Sequence, residues 1–216
     1  MAVIESFPGA DLRACYASVR QVLHAGGVVA IPTETYYGLG VNPFDAAAVD
    51  RLIAIKGRPD GKPILVVIGE RVQLDGLVER ILPVAQVLMD AYWPGPLTIV
   101  FPANTRLPEN LTAGTDTVGV RLTSFDPLAD LLQQVGPLTG TSANRSGAPA
   151  VCTAADVNQS LNNDVTLILD AEATPDGSPS SIVSVCDGVE LVREGAIDET
   201  IIHRTLEARG FRLRRR

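Results

Sequence analysis

The only two lysines of the chain, Lys56 and Lys62, lie in one short segment, KGRPDGKP at residues 56–63. Arg58 lies between them, so three positive charges share a loop that glycine and proline restrict. Lys56 ends a predicted helix, where the helix dipole favours a cation, but this does not account for the other two charges. Because like charges repel at short range, the segment favours a bound anion over a solvated run of charge. Arginine and lysine both suit phosphate, as a planar fork and as a compact charge.

Two further loops are rich in hydroxyl groups, and each follows a predicted strand. Residues 32–40 read PTETYYGLG and contain Thr35, while residues 139–147 read TGTSANRSG and contain Ser142 and Asn144. Loops after the strands of an α/β sheet commonly bind ligands. Hydroxyl and amide groups beside glycine suit phosphate or sugar oxygens, because glycine lets the backbone approach closely. From spacing alone, polar turns explain both loops equally well.

Two isolated arginines are weaker candidates. Arg121 interrupts the apolar strand at residues 118–122, and Arg193 ends the second strand of a predicted hairpin. A guanidinium group forms paired hydrogen bonds with carboxylate or phosphate, so each arginine suits an anion. Equally, Arg121 suits the outward face of a half-exposed strand, and Arg193 suits a simple ion pair with an acid.

Several other kinds of site are excluded. The sequence has neither the GxxxxGK[ST] pattern of a P-loop nor a GxGxxG pattern after a strand. Three cysteines without a CxxC pair and only two histidines predict neither a disulfide framework nor a metal site made by protein side chains. The net charge of -7 argues against bulk, non-specific binding of nucleic acid.

The composition is that of a globular protein of the cytoplasm. The chain is 46% hydrophobic and 20% charged, and no apolar run approaches the roughly 20 residues that span a bilayer. The N-terminus has no basic region ahead of an apolar stretch, so no signal peptide is predicted. We therefore predict a cytoplasmic location without membrane attachment.

Apolar periodicity predicts helices and strands in alternation, which indicates an α/β fold. Asp45, Asp126 and Asp198 are predicted to cap helices, and Asp187-Gly188 to form a hairpin turn. We predict one domain with a single twisted, mixed sheet flanked by helices. The predicted strands lie at residues 28–31, 64–68, 97–101, 118–122, 137–141, 166–169, 181–185 and 189–193, and the predicted helices at about 12–25, 45–56, 83–92, 126–135, 153–161 and 198–209.

Six segments in order resemble the YrdC family, the threonylcarbamoyl-AMP synthases. They are PTETYYGLG, KGRPDGKP, WPGPLTIVF, TVGVR, TSANRSG and SSIVSV…VREG, and the resemblance spans about residues 12–200. It implies a twisted α/β sheet with a positively lined concave groove. It also implies an enzyme that condenses L-threonine, bicarbonate and ATP, with Mg²⁺, into threonylcarbamoyl-AMP and pyrophosphate. A separate transferase would then modify an adenosine of tRNA.

The resemblance also assigns site residues by matching position. The family's KxR cations fall on Lys56 and Arg58, which we take as the catalytic pair. The implied ATP-binding residues are Lys56, Arg58, Thr117, Ser142, Asn144 and Arg193, and the implied threonine-binding residues are Thr35, Arg121, Gly140 and Ser180. The chain departs from longer relatives at two positions, because Lys62 replaces an asparagine and Val67 a histidine that contacts threonine.

The chain is predicted to consist of a catalytic domain and a short C-terminal tail. Residues 1–200 are the predicted YrdC-like catalytic domain, and residues 201–216 the end of the last helix and an arginine-rich tail. The tail suggests either a solvated terminus or an arm that contacts phosphate, as in tRNA.

The alternatives to a synthase are an RNA-binding module of the same fold and a relative that adenylates a carbamoyl group from carbamoyl phosphate.

Overall fold

The computed structural model describes residues 1–57, 63–161, 163–174 and 178–215 of the chain. The predicted site residue Arg58 and the neighbouring Lys62 lie outside the described residues. Within the described ranges, no helix has the length and apolar character needed to cross a membrane.

Several helices begin or end at residues that the sequence marks as helix ends. The Asp45 side chain accepts hydrogen bonds from the first turn of its helix, and Asp198 does the same for the last helix, as predicted. The cap predicted at Asp126 is wrong, because Phe125 is the N-cap and Asp126 lies inside the first turn. The α-helices are Leu12–His24 (α1), Ala46–Lys56 (α2), Pro83–Tyr92 (α3), Glu109–Thr112 (α4), Asp126–Val135 (α5), Ala154–Leu161 (α6) and Glu199–Glu207 (α7), and Arg71–Gly76 is a 3-10 helix.

The strands lie in two mixed sheets, whereas the sequence predicts a single mixed sheet. The first sheet has the order β1-β9-β2-β3-β8, and the second has the order β12-β11-β10-β5-β6-β4-β7. The mixed α/β class with flanking helices is confirmed. The strands are Val3–Ser6 (β1), Val29–Ile31 (β2), Gly38–Gly40 (β3), Val66–Ile68 (β4), Leu97–Pro102 (β5), Thr117–Leu122 (β6), Leu138–Thr139 (β7), Thr141–Ser142 (β8), Leu167–Asp170 (β9), Ser181–Ser184 (β10), Glu190–Arg193 (β11) and Arg214–Arg215 (β12).

Gly140 is the point where the chain passes from one sheet to the other. The sequence predicts one strand over residues 137–141, but β7 pairs with β4 in the second sheet and β8 pairs with β3 in the first. A Cβ atom on Gly140 would lie only 2.3 Å from Cγ2 of Val67. Val67 is fully buried, so its stiff, branched side chain has little room to move. The crossing therefore requires glycine for close packing.

We expect Gly140→Ala to lower the free energy of unfolding by about 1–3 kcal/mol, the usual cost of overpacking a core. The Val67→Ala change removes the methyl groups that the new side chain would meet. In the double variant, the alanine at position 140 fills part of the space left at position 67, so the two costs should be less than additive. Denaturant unfolding of the two single variants and the double variant measures this, and strict additivity would contradict the close contact.

The core forms two clusters of buried apolar side chains. The larger cluster includes one face of β4 and β6 together with α2 and α3. The smaller cluster packs Val67 and Leu138 of the second sheet against Ile31 and Leu167 of the first. The two sheets therefore share a packed contact, which positions the loops after β2 and β7 close to β6.

The end of the chain adds a strand to the second sheet. Arg214–Arg215 pairs in parallel with β11, and the Arg214 amide donates to the carbonyl of Val189 at 2.7 Å. The interpretation of a frayed terminus is therefore wrong for the backbone of these two residues, while the Arg214 side chain is exposed to solvent, as expected. The predicted hairpin around Asp187-Gly188 is confirmed as β10 and β11 in antiparallel pairing.

Candidate active site

Lys56 lies at the C-terminal end of α2 and is almost fully buried. Gly57 follows in a left-handed conformation (φ 54°), which ends the helix there. The Lys56 ammonium donates to the carbonyl oxygens of Ser142 (2.6 Å) and Asn144 (2.5 Å) and to Oδ1 of Asn144 (3.1 Å). Oγ of Ser142 lies 3.4 Å away. The structure thus brings these three predicted residues together.

The segment 142–146 is held in place by contacts on both of its sides. The Ser146 amide donates to the carbonyl of Lys56 at 2.8 Å, which ties the segment to the end of α2. On the other side, the Ala143 amide donates to the carbonyl of Tyr37 at 2.7 Å. The segment is therefore positioned by the fold, and the Lys56 ammonium holds its carbonyl groups inward.

The side chain of Asn144 is engaged within its own loop. Nδ2 donates to the carbonyl of Ala148 at 2.5 Å, and Oδ1 accepts from Lys56. Asn144 is only 8% exposed, whereas Ser142 is half-buried. Asn144 therefore shapes the loop, and Ser142 is the more accessible of the pair.

Arg121 of β6 and Thr35 meet across the two sheets. Arg121 is buried, and its Nη1 donates to Oγ1 of Thr35 at 3.2 Å. The Thr33 hydroxyl donates to the carbonyl of Tyr36 at 2.7 Å, so it accepts from the Thr35 hydroxyl 3.0 Å away. The oxygen of Thr35 is therefore left as the acceptor for Arg121.

Glu34 is the counter-ion of Arg121. Oε1 of Glu34 lies 3.2 Å from Nε of Arg121, but the N–H bond is not directed at that oxygen, so the contact is Coulombic. Burial lowers the pKa of Arg121, and the charge of Glu34 raises it again. The Thr123 hydroxyl donates to the other oxygen of Glu34 at 2.7 Å.

Part of the Arg121 guanidinium has no partner among the described residues. Nε faces Glu34 and Nη1 contacts Thr35, while none of the described residues forms a hydrogen bond with Nη2. A guanidinium with an unengaged edge suits a planar, bidentate acceptor such as a carboxylate.

Arg193 and Ser180 form a second cluster beside β5. Nη2 of Arg193 donates to the Ser180 carbonyl at 2.7 Å and lies 3.2 Å from the Ser180 hydroxyl. That hydroxyl is also 2.9 Å from Oγ1 of Thr98. Burial lowers the pKa of Arg193, and repulsion from Arg121 lowers it further. Because Arg193 remains exposed to solvent, water screens much of this repulsion. The two positive charges are nevertheless near enough to interact, and an anion close to both would reduce their repulsion.

Thr117 and Gly140 take separate positions around these clusters. Thr117 begins β6, four residues before Arg121, which is about 13 Å along a strand. Its hydroxyl lies 2.8 Å from that of Thr115. Gly140 is half-buried at the crossing between the sheets, against Val67. Val67 itself is a core residue here, so no polar group stands at that position.

The sequence did not reveal every residue that orders the site. Glu34 and Thr33 lie in a motif that the sequence singled out, but nothing local links Glu34 to Arg121. Nothing in the sequence marks Thr98 or Thr123 as a site residue, because threonine is common in strands and at their ends. Arg58 lies outside the described residues, so its predicted role stays a prediction.

Known proteins resemble the chain over most of its length. The family profile Sua5_yciO_yrdC, described as "Telomere recombination", matches residues 21–195. The threonylcarbamoyl-AMP synthase of Thiobacillus denitrificans is 38% identical over 189 residues, which is 87% of this chain and 97% of that protein. That of Pseudomonas aeruginosa is 39% identical over 168 residues, which is 78% of this chain and 91% of that protein.

A solved structure has the same fold. The crystal structure of P. abyssi Sua5 complexed with L-threonine matches with a TM-score of 0.89 and 30% identity, and the match covers 99% of this chain. The chain spans only 62% of that solved chain. From the extent of the profile match and the identity to full-length relatives, the chain belongs to the Sua5/YciO/YrdC family.

Proposed function

We propose that the protein is a threonylcarbamoyl-AMP synthase, which condenses L-threonine, bicarbonate and ATP into threonylcarbamoyl-AMP and pyrophosphate. The observation that carries this proposal is the buried Arg121, whose Nη1 donates to Thr35 and whose Nη2 has no hydrogen-bond partner among the described residues. The relatives of 38% and 39% identity bear this name, and the similar P. abyssi protein was solved with L-threonine. The activity supplies threonylcarbamoyladenosine modification of tRNA.

The amino acid would bind between the two sheets. Arg121 would hold the carboxylate of L-threonine through its free N–H groups. Thr35 supports that guanidinium and offers a hydroxyl to the same space. Gly140 lies at the crossing between the sheets, and Ser180 lies near the second arginine, Arg193. These contacts fit a small polar amino acid better than a large apolar one.

The nucleotide would bind on the side of the Lys56 loop. Ser142 offers a hydroxyl, and the ammonium of Lys56 places positive charge directly behind it. We expect Arg58, Thr117 and Arg193 to complete the contacts with ATP, and Asn144 to act by shaping the loop. Together with Arg121, these cations would line a positively charged groove, as the family resemblance implies.

The chemistry requires positioning and charge neutralisation more than a strong base. The amine nitrogen of L-threonine forms a bond to the carbon of bicarbonate, which loses water, or to the carbon of CO₂, with loss of a proton from the nitrogen, and either route gives a carbamate. A carbamate oxygen then attacks the α-phosphorus of ATP, and the bond to the departing pyrophosphate breaks. Preorganised cations stabilise the charge that develops in such a step. Among the described residues there is no cluster of three or more histidine, cysteine or acidic side chains that could hold a metal. We expect Mg²⁺ to enter as part of Mg-ATP, because Mg²⁺ is commonly held by substrate phosphate oxygens.

The product needs a partner in the same compartment. Threonylcarbamoyl-AMP is a mixed anhydride, so we expect a threonylcarbamoyl transferase to consume it before hydrolysis does. We expect both steps in the cytoplasm, where ATP, L-threonine and tRNA are all present. Contact with tRNA by this chain itself stays a prediction.

A pyrophosphate-release assay tests the proposed function. With L-threonine, bicarbonate and Mg-ATP, we expect purified protein to release pyrophosphate, and omission of either L-threonine or bicarbonate should reduce the rate to background. Carbamoyl phosphate in place of these two substrates is the matched control, and it should not support the reaction. Release that does not depend on L-threonine would refute the proposal.

A further inference from the structure

Glu34 is an acidic side chain in a site whose proposed ligands are anions. It is nearly buried, with its side chain 11% exposed, and it lies between Arg121 and Thr123. A carboxylate at this position lowers the positive potential that would attract the carboxylate of a ligand, so attraction of the ligand cannot be the role of Glu34. The contacts of Glu34 with Arg121 and Thr123 hold its side chain in one orientation.

The orientation of Glu34 is fixed through Thr123. The Phe125 amide donates to Oγ1 of Thr123 at 3.2 Å, which occupies one lone pair of that hydroxyl. The Thr123 proton is then directed to Oε2 of Glu34 at 2.7 Å. The remaining oxygen, Oε1, faces Nε of Arg121 at 3.2 Å. The backbone after β6 therefore determines where the carboxylate lies.

This carboxylate in turn restricts the guanidinium of Arg121. The group is planar, so contacts at Nε and Nη1 are enough to fix the direction of Nη2. A buried guanidinium that lost its counter-ion would turn toward water or toward another acceptor, because an uncompensated charge is costly inside a protein. The edge of Arg121 that faces the pocket would then no longer be fixed.

We infer that Glu34 is a positioning residue, which holds Arg121 so that its unengaged N–H groups face the carboxylate of L-threonine. Oε1 of Glu34 is inaccessible to solvent and faces Nε of Arg121, while Oε2 accepts from Thr123, so in the position we assign to it Glu34 acts through Arg121. This inference rests on the proposed function, because it takes L-threonine as the ligand of Arg121.

The Glu34→Gln variant of the full chain tests the inference. We expect the affinity for L-threonine, measured by calorimetry, to fall about tenfold, because a neutral amide holds the Arg121 guanidinium less firmly than a carboxylate does. The affinity for 2,3-dihydroxybutyrate, which keeps the carboxylate but lacks the amine, should fall in parallel. In kinetics, the KM for L-threonine should rise, while the KM for ATP changes by less than about twofold.

Thr123→Val is a second variant that leaves both charges in place. It removes the hydroxyl that orients Glu34 and keeps the shape of the side chain, so we expect a loss of affinity for L-threonine of about threefold, in the range of one hydrogen bond. If Glu34→Gln does not fold, this variant decides the inference. Glu79→Gln is the matched control, since Glu79 forms an exposed ion pair with Arg80. It should bind L-threonine as the wild type does.

The outcomes separate the inference from the proposed function. If the wild type binds no L-threonine, the proposed function fails. If the wild type binds and both Glu34→Gln and Thr123→Val bind equally well, the positioning role is overturned. A loss confined to L-threonine that spares 2,3-dihydroxybutyrate would also overturn it, because Glu34 would then be contacting the ammonium group directly.

Discussion

Replacing Lys56 with methionine is expected to lower kcat/KM for ATP about a thousandfold, comparable to the loss of a strong electrostatic group in an active site. Methionine keeps the apolar stem of the side chain but removes the ammonium. The carbonyl oxygens of Ser142 and Asn144 lose a charged donor at 2.6 and 2.5 Å. Because these are charge-assisted bonds in a buried setting, we expect the segment 142–146 to leave its position.

The rate of pyrophosphate release at varied ATP concentration measures this effect. The affinity for L-threonine should change much less, since Arg121 and Thr35 contact each other and neither forms a hydrogen bond with Lys56. Arg51→Ala is the matched control, because Arg51 lies on the same helix with its side chain exposed. Circular dichroism and thermal unfolding establish that each variant is folded. A folded Lys56→Met protein with a rate within about threefold of the wild type would contradict the role assigned to this lysine.

Replacing Arg121 with lysine is expected to lower kcat/KM for L-threonine at least a hundredfold, because the fork that binds a carboxylate is lost. Lysine preserves the positive charge opposite Glu34, so this change avoids leaving a buried carboxylate without a partner. The ammonium cannot reach Glu34, Thr35 and a ligand in the fixed directions that the guanidinium provides. Because the positive charge is kept, the expected loss of kcat/KM for L-threonine measures the effect of the changed hydrogen-bond geometry.

Kinetics at varied L-threonine and calorimetry with L-threonine alone measure the Arg121→Lys variant. Arg106→Lys is the control, since Arg106 is exposed and lies outside both clusters of the site. We expect the control to match the wild type in KM and in rate. If Arg121→Lys binds L-threonine with unchanged affinity, then the carboxylate does not bind at Arg121.

Much of the fold followed from local signals in the sequence. The apolar runs that became β2, β5 and β6 were visible because buried strands need unbroken apolar residues. The α2 boundaries followed from Asp45 at its start and Gly57 at its end. The division into two sheets was not visible, because a strand that changes partners at Gly140 has the same residue pattern as a continuous one.

The two halves of the candidate site differ in how many of their residues and contacts can be predicted from the sequence. Lys56 is predicted from local features, namely its charge and its place at a helix end. The segment with Ser142 and Asn144 is predicted from the family resemblance, and the structure adds that Lys56 contacts it. Nothing in the sequence links Glu34 to Arg121, because Arg121 lies in a different sheet from the strands that flank Glu34.

The α/β class, the family and the clustering of both lysines in one loop can be predicted from the residues alone. This is possible because helix ends, strand runs and motif spacing depend on neighbours in the chain. The contact of the Lys56 ammonium with the carbonyl groups of the Ser142 segment, and the contact of Glu34 with Arg121, become visible when the chain is folded. These contacts join residues from separate elements, and they depend on how two sheets pack and on where the chain crosses between them.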